Sequence, residues 1–316
     1  MKKIIVTGGA GFIGSHLVDR LLQEKNDVIV IDNYSRGSPK NLEQHKNNKH
    51  FTLINDEIEH KEKIDEALLD ADAVIHFASI SSVYRSITES EKINKVNVTG
   101  TLNMLDACIE KNVKRFIFAS SSAVYGENNS NPIKEDDCVE PLSPYAASKI
   151  AGEAYCNAYY KTYGLDTTIL RFMNVYGPRT TGNYRRVISK FADAIVNKKP
   201  IKIYGDGQQT RDFVYIADTV DAILLVLNSK KVKGETFNIG SGITTTVNQL
   251  ADLMIKIANK PNQEIQHISE LKNDVRHKVA DISKLKNKLG FEPKISIEEG
   301  LQNYFDWFKN DSKLKK

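Results

Sequence analysis

The chain has 316 residues, 41% hydrophobic and 27% charged, the makeup of an ordinary globular protein with room for one large domain or two. Its formal net charge of +4 at pH 7 is too slight, and its basic residues too mixed with acidic ones, to point to nucleic acid. No apolar run reaches the roughly 18 residues that a transmembrane helix needs, so no membrane partner is expected.

The opening "MKKIIVTGG" carries two lysines but too short an apolar run for a signal peptide, and it leads straight into a first strand, "KIIVT" (3–7). "VTGGAGFIGSH" then joins that strand to the first helix. Gly9, Gly11 and Gly14 fit G-x-G-x-x-G, while Gly8, Gly11 and Gly14 form an overlapping G-x-x-G-x-x-G. Glycines here permit a tight turn, close backbone approach to a pyrophosphate, and close packing of helix on strand. The helix start adds free N–H groups and a partial positive charge for phosphates. Such a string is weak evidence alone, and its position at strand one and helix one makes it strong. The second strand, "DVIVID" (27–32), ends on Asp32, 18 positions after Gly14. A carboxylate there can accept both ribose hydroxyls and repel a 2′-phosphate, which favours NAD over NADP. Arg36 tempers this preference, and a strand-end aspartate can also simply cap a turn.

Further strands are predicted at "FTLIN" (51–55), "DAVIHFA" (72–78), "KRFIFAS" (114–120) and "TTILRF" (167–172), separated by helical patterns such as "SHLVDRLLQE" and "GTLNMLDACIEK". Apolar runs without alternation suit strands covered on both faces. The repeated strand–helix rhythm predicts an α/β fold, a Rossmann-type doubly wound parallel sheet. After residue 175 the rhythm loosens into turn-rich stretches. The expected organisation is an NAD-binding domain over 1–175 and a smaller C-terminal α/β substrate lobe over 176–316. The first domain is also expected to receive 213–240, through the apolar pieces "RDFVYI" (211–216) and "ETFNIG" (235–240).

Three widely spaced cysteines, Cys108, Cys138 and Cys156, fit a reducing compartment, hence a cytoplasmic location, better than a disulfide framework. The histidines show no ligand spacing, so no metal is expected.

The predicted fifth strand brings Ser120, Ser121 and Ser122 to its C-terminal end, where open α/β sheets bind ligands. About one helix later, "SPYAASKIAGEAY" (143–155) places Tyr145 four positions before Lys149, on one helical face. Taken alone, that pair is equally an ordinary feature of an amphipathic helix. An unperturbed phenol has a pKa near 10, and bringing one to about 7 takes roughly 4 kcal/mol. A neighbouring ammonium and an oxidised nicotinamide are plausible sources of that stabilisation.

The glycine string, Asp32, the serine cluster and Tyr145-x-x-x-Lys149 together resemble the extended short-chain dehydrogenase/reductase family. "RFMNVYGPR" (171–179), "YGDGQQTRDFVYIAD" (204–218), "NIGSG" (238–242) and "DVRHKVADISK" (274–284) extend the likeness along nearly the whole chain. Within the family it is most similar to the nucleotide-sugar 4-epimerases, the UDP-glucose 4-epimerase group. The resemblance implies that Tyr145 removes the sugar 4-hydroxyl proton while hydride leaves C4, that Lys149 holds the nicotinamide ribose, and that Ser121 relays the proton, with Ser122 as the fallback. A 4-keto sugar would turn over in the pocket, and NAD would be a tightly held prosthetic group. Phe12, Ile13, Asn33, Phe77, Ala78 and Asn97 are implied along the cofactor, Asn97 as a brace. Glu57 and Ile58 stand where the family has Asp-Ile at the adenine. His76 carries either a packing or a direct role. For the substrate diphosphate, Asn174, Arg211 and Arg276 are favoured, since a planar guanidinium pairs well with phosphate oxygens. Arg179, Arg185 and Arg186 are lesser candidates.

Ser122 and Ala123 occupy the positions where related dehydratases and decarboxylases carry acidic residues, which leaves simple 4-epimerisation. Lys278 falls where size gates N-acetylated sugars, so UDP-glucose and UDP-galactose are favoured. The alternatives are a 4-epimerase of UDP-N-acetylhexosamine or another nucleotide sugar, or a non-catalytic NAD-binding regulator on the same fold. The likeness further implies a homodimer formed through helices around 97–111 and 145–163.

Overall fold

The structure, a computed structural model, describes residues 1–127, 130–180, 187–270 and 275–313. Its strands are β1 (Lys3–Thr7), β2 (Asp27–Ile31), β3 (Phe51–Ile54), β4 (Ala73–His76), β5 (Arg115–Ser121), β6 (Asp166–Phe172), β7 (Asn174–Tyr176), β8 (Ile201–Tyr204), β9 (Thr210–Tyr215), β10 (Glu235–Ile239), β11 (Thr244–Thr246) and β12 (Ile265–Ile268). Seven of them form one sheet in the order β10-β6-β5-β4-β1-β2-β3, every pairing parallel. The six strands expected in the first half of the chain are all in it. The order reverses between β1 and β4, so a crevice opens above their C-terminal ends, as expected at a topological switch point.

The strand sequences explain the two-sided burial. Ile4 and Val6 of β1 pack into one apolar layer with Val28 and Val30. Ile5, between them, faces the opposite layer with Ile31, Val74, Phe116 and Phe118. Successive side chains point to opposite faces, so a run apolar at every position is what a doubly covered strand requires. The helices Phe12–Gln23 and Ile216–Asn228 lie on the first face, and Lys61–Leu68, Gly100–Glu110 and Pro144–Tyr163 on the second.

The C-terminal elements have a core of their own, built from the helices Val187–Val196, Val247–Ile257 and Ile297–Lys313 around Phe213, Leu250, Leu301 and Tyr304. Of the two pieces expected to return to the first lobe, β10 does so, beside β6. β9 instead pairs parallel with β7 and antiparallel with β11 in a separate three-stranded sheet. Its Phe213 sits in the smaller core and its Val214 in that of the large sheet, so the strand runs between the two. Directly after β9 the chain crosses back as the helix Ile216–Asn228. The buried Asp212 ties the junction together. Its carboxylate accepts from the Ser241 N–H and hydroxyl (2.7 Å each), the Gly242 N–H (3.1 Å) and the Ala280 N–H (3.2 Å).

Candidate active site

A cleft of about 1670 Å³ runs over the C-terminal ends of β1 and β4 and on between the two cores, ample for a dinucleotide and a second nucleotide. Its first wall is the glycine turn. Gly8 has φ +69°, and a Cβ there would lie 2.8 Å from the Ala78 nitrogen, so only glycine fits the left-handed turn against β4's exit. A Cβ on Gly14 would meet the Gly8 carbonyl oxygen at 2.4 Å. The overlap between the two glycine patterns is thereby resolved. Gly8, Gly11 and Gly14 line the cleft, whereas Gly9 faces away, its absent Cβ leaving room for Val30.

Gly11 caps the first helix with no side chain on its N–H groups, and no acidic residue stands in the first turn. The positive helix end therefore stays available to an anion. Phe12 and Ile13 complete this end, with Asp32 and Asn33 beyond β2, then Glu57 and Ile58, then Phe77 and Ala78 after β4. Asp32 accepts from the Ala10 N–H (2.9 Å) and the Tyr34 N–H (2.8 Å), and burial pushes its carboxyl above the usual range. Arg36 lines the same end. Glycines that a Cβ would fill, an open helix start and a strand-end carboxylate fit an unphosphorylated adenosine dinucleotide. Exchanging Asp32 for asparagine is expected to weaken NAD binding about tenfold, the order of one charge-assisted hydrogen bond, while NADP binding improves. Titration of apo protein with both dinucleotides checks this.

The second wall is the helix Pro144–Tyr163, which starts where Ser143 accepts from the Ala146 N–H (3.2 Å) and Pro144 fills the first turn. Gly152 lets this helix press on β5, since a Cβ would meet the Phe118 ring at 2.4 Å. Tyr145, Lys149, Ser121 and Ser122 all line the cleft here. The Lys149 ammonium donates to the Ala119 carbonyl at 2.8 Å and lies 5.0 Å from the Phe118 ring centre. Burial pulls its pKa down to about 8, with Glu153 one turn on acting in the opposite direction. Lys149 therefore remains mostly charged at pH 7. Ser121 accepts from the Ala123 N–H at 3.2 Å, which leaves its hydroxyl proton to donate elsewhere. The Ser122 carbonyl accepts from Lys278, itself buried against the cleft (3.1 Å).

Asn97 and His76 lie behind this wall and do not line the cleft. The Asn97 amide accepts from the Ile80 N–H (2.7 Å) and donates to the Ser148 hydroxyl (3.0 Å), which donates to the Tyr145 carbonyl (2.7 Å). Asn97 thus braces the tyrosine's own turn. Burial, then the nearby Lys149 charge, lowers the His76 pKa to about 3 and keeps the ring neutral. Its nitrogens meet the Thr7 hydroxyl (2.8 Å) and the Thr101 hydroxyl (3.1 Å), and Thr101 gives its proton to the Asn97 carbonyl (2.6 Å). That direction makes Nε2 the protonated nitrogen. His76 is a strut between β1 and the Asn97 turn.

At the far end, Asn174 and Arg211 line the cleft. Asn174 donates to the Asp212 carbonyl (3.2 Å) and Arg211 to the Thr210 carbonyl (2.7 Å). Arg276 is not in the lining. It is exposed and paired with Asp206 (2.5 Å) and Glu270 (3.8 Å). Arg179 likewise pairs outside the cleft, with Asp19 (2.8 Å). Arg185, Arg186 and the start of the 274–284 motif, Asp274, lie outside the described residues. The sequence reading missed Val83, Tyr84 and Ile87, whose short helix Val83–Thr88 edges the cleft. Their exposure is high, 77% for Tyr84 and 68% for Ile87. The signal was available: apolar residues on an otherwise polar connection directly after β4.

The family model of the NAD dependent epimerase/dehydratase family matches residues 4–240. A putative UDP-glucose 4-epimerase of Methanocaldococcus jannaschii is 40% identical over 315 residues, covering 98% of this chain and 99% of that protein. Among solved structures, the UDP-glucose 4-epimerase of Thermotoga maritima with UDP-glucose superposes at a TM-score of 0.92 with 39% identity, covering 98% of this chain and 99% of that one. The UDP-N-acetylglucosamine 4-epimerase of Methanobrevibacter ruminantium, in complex with UDP-N-acetylmuramic acid, superposes at 0.93 with 38% identity and the same coverage.

Proposed function

The chain belongs to the NAD dependent epimerase/dehydratase family and is an NAD-dependent nucleotide-sugar 4-epimerase; from that premise we propose that its substrate pair is UDP-glucose and UDP-galactose. The observation that carries the chemistry is the meeting of Tyr145, Lys149 and Ser121 in the cleft that also holds the open glycine turn. NAD, bound along Gly8, Gly11, Gly14 and Asp32, supplies a reversible two-electron acceptor for the sugar C4.

Tyr145 takes the 4-hydroxyl proton as that carbon is oxidised, and returns it when the carbon is reduced from its other face. Lys149, charged and anchored on Ala119, favours the phenolate. Ser121 bridges the sugar oxygen and the phenol. Asn174 and Arg211 take the substrate diphosphate; Arg276, engaged with two carboxylates at the surface, is a weaker candidate. No carboxylate stands at Ser122 or Ala123, both of which line the cleft, so these positions offer no acid for expelling water. Lys278 crowds the sugar end and favours a hexose without an N-acetyl arm. We further propose that 1–175 with the returning helix and β10 forms the cofactor unit, and that two copies pair through the helices Gly100–Glu110 and Pro144–Tyr163.

The test incubates purified protein with UDP-glucose, UDP-galactose, UDP-N-acetylglucosamine and UDP-glucuronic acid, without added cofactor, and reads the C4 configuration by NMR. Interconversion of the first two at least tenfold faster than of the others is expected. Preference for an N-acetylated or acidic sugar would overturn the sugar assignment, and no inversion with NAD bound would overturn the epimerase reading of the site.

A further inference from the structure

The sequence sets three serines in a row at the end of β5, and only Ser121 has a place in the chemistry above. Ser120 borders the cleft as well, but its hydroxyl is already committed to a buried partner. Its hydroxyl donates to Glu153 Oε1 at 2.5 Å, and Arg171 of β6 grips the same carboxylate from behind, Nε to Oε1 at 2.9 Å and Nη2 to Oε2 at 2.6 Å. Arg171 is held in turn by the Glu135 carbonyl (2.9 Å) and lies 4.8 Å from the Tyr125 ring centre. Glu153 and Arg171 are both buried. Burying such a pair is costly, and a fold that does so directly behind a reactive helix invites a functional account.

Glu153 stands four residues after Lys149, as Lys149 stands four after Tyr145, so the three lie along one helical face. β5 meets two of them directly, the Ala119 carbonyl on Lys149 and the Ser120 hydroxyl on Glu153, while its Ser121 lines the same cleft as Tyr145. The other groups facing Lys149 are the neutral His76 of β4, the Phe118 ring of β5 and the buried Cys156 thiol on its own helix. Tyr145 precedes Lys149 by one turn on the same helix, and of all these groups only Glu153 is a carboxylate. We propose that Glu153, clamped by Ser120 and Arg171, is a positioning residue for Lys149: it is the buried anion that keeps this ammonium charged while β5 and the helix close over it.

The clamp explains the remaining geometry. Ser120 and Arg171 both donate to Glu153 Oε1 and Arg171 also to Oε2, so the carboxylate is held away from a contact pair with Lys149. The Lys149 ammonium stays on the Ala119 carbonyl with its other donors available to the cleft.

The test rests on the epimerase reading for one of its two readouts only. In the purified enzyme, Glu153→Gln removes the anion one turn from Lys149, so the alkaline limb of the kcat/KM profile should move about one unit toward acid. Competitive acetylation with trace acetic anhydride, quantified at Lys149 by mass spectrometry across pH, reads the same ionisation without turnover. Glu153→Gln with Arg171→Met serves if the single variant does not fold; its shift should be in the same direction and smaller. Movement of the acetylation midpoint sustains the proposal even where no sugar is turned over, a result that would sink the function and not the clamp. A midpoint unchanged in the folded variants, with activity falling only as stability falls, makes the clamp purely structural and overturns it.

Discussion

Replacing Tyr145 with phenylalanine is expected to lower kcat by roughly 10²–10⁴, the range over which a positioned acid/base group acts, while the purified protein keeps its NAD. The two halves of this result have separate causes. Tyr145 is buried to 8% exposure beside Lys149 and Ser121, and phenylalanine keeps the ring and the packing. The wall that fits the dinucleotide is built mostly from β1, β2 and β4, away from the phenol. What is lost is the oxygen proposed to take the proton from the sugar hydroxyl. At pH 7 an unperturbed phenol is ionised in about one molecule in a thousand, so the proposed role needs a cation alongside, and Lys149 one helical turn on is placed to supply it. Because the buried Lys149 has its pKa lowered to about 8, the wild-type rate should begin to fall as pH rises through that region. The checks are kcat by the NMR assay and NAD content by absorbance of the denatured protein. A variant that loses NAD along with activity would assign Tyr145 to cofactor retention.

Replacing Gly14 with alanine should have the second largest effect, on the cofactor. The added Cβ would stand 2.4 Å from the Gly8 carbonyl and 2.8 Å from the Gly9 Cα. Both neighbours are backbone in the turn that forms the phosphate wall, so the helix Phe12–Gln23 must lift from β1. Overpacking of this kind costs about 1–3 kcal/mol of stability. Moving the helix start also removes one or two N–H groups from the diphosphate, for an affinity loss on the order of 100-fold. Gly164→Ala is the control. That residue has φ +72° at a helix end with nothing within 4 Å, so it should lose about 1 kcal/mol and keep all its NAD. Thermal unfolding and NAD titration of the three proteins separate the cases. Equal NAD affinity in wild type and Gly14→Ala would remove the glycine turn from the dinucleotide site.

How far the sequence could be read depended on the range of each interaction. The unbroken apolar runs of β1, β2, β4 and β5, the glycine turn between β1 and its helix, and the i,i+4 placement of Tyr145 and Lys149 are all written within a few residues. Backbone geometry alone sets those periods, so these elements could be placed before any coordinates. Contacts between distant parts of the chain carry no such local signature. Ser120 meets Glu153 across 33 positions, and Glu153 meets Arg171 across 18; three adjacent serines look alike until the strand's pleat sends them to different partners. β9 reads as a piece returning to the first lobe, and its pairing with β7 and β11 placed it in a sheet of its own between the two cores. Arg276 reads as a phosphate ligand, and Asp206, 70 residues away, draws it to the surface. Periodicity and turn chemistry therefore determined the sheet, the glycine turn and the placing of Tyr145 one turn before Lys149. Which serine hydroxyl is taken by a buried carboxylate, which asparagine stands behind the cleft and which arginine lines it were decided by packing, because a side chain's partners are fixed only once both lobes have closed around it.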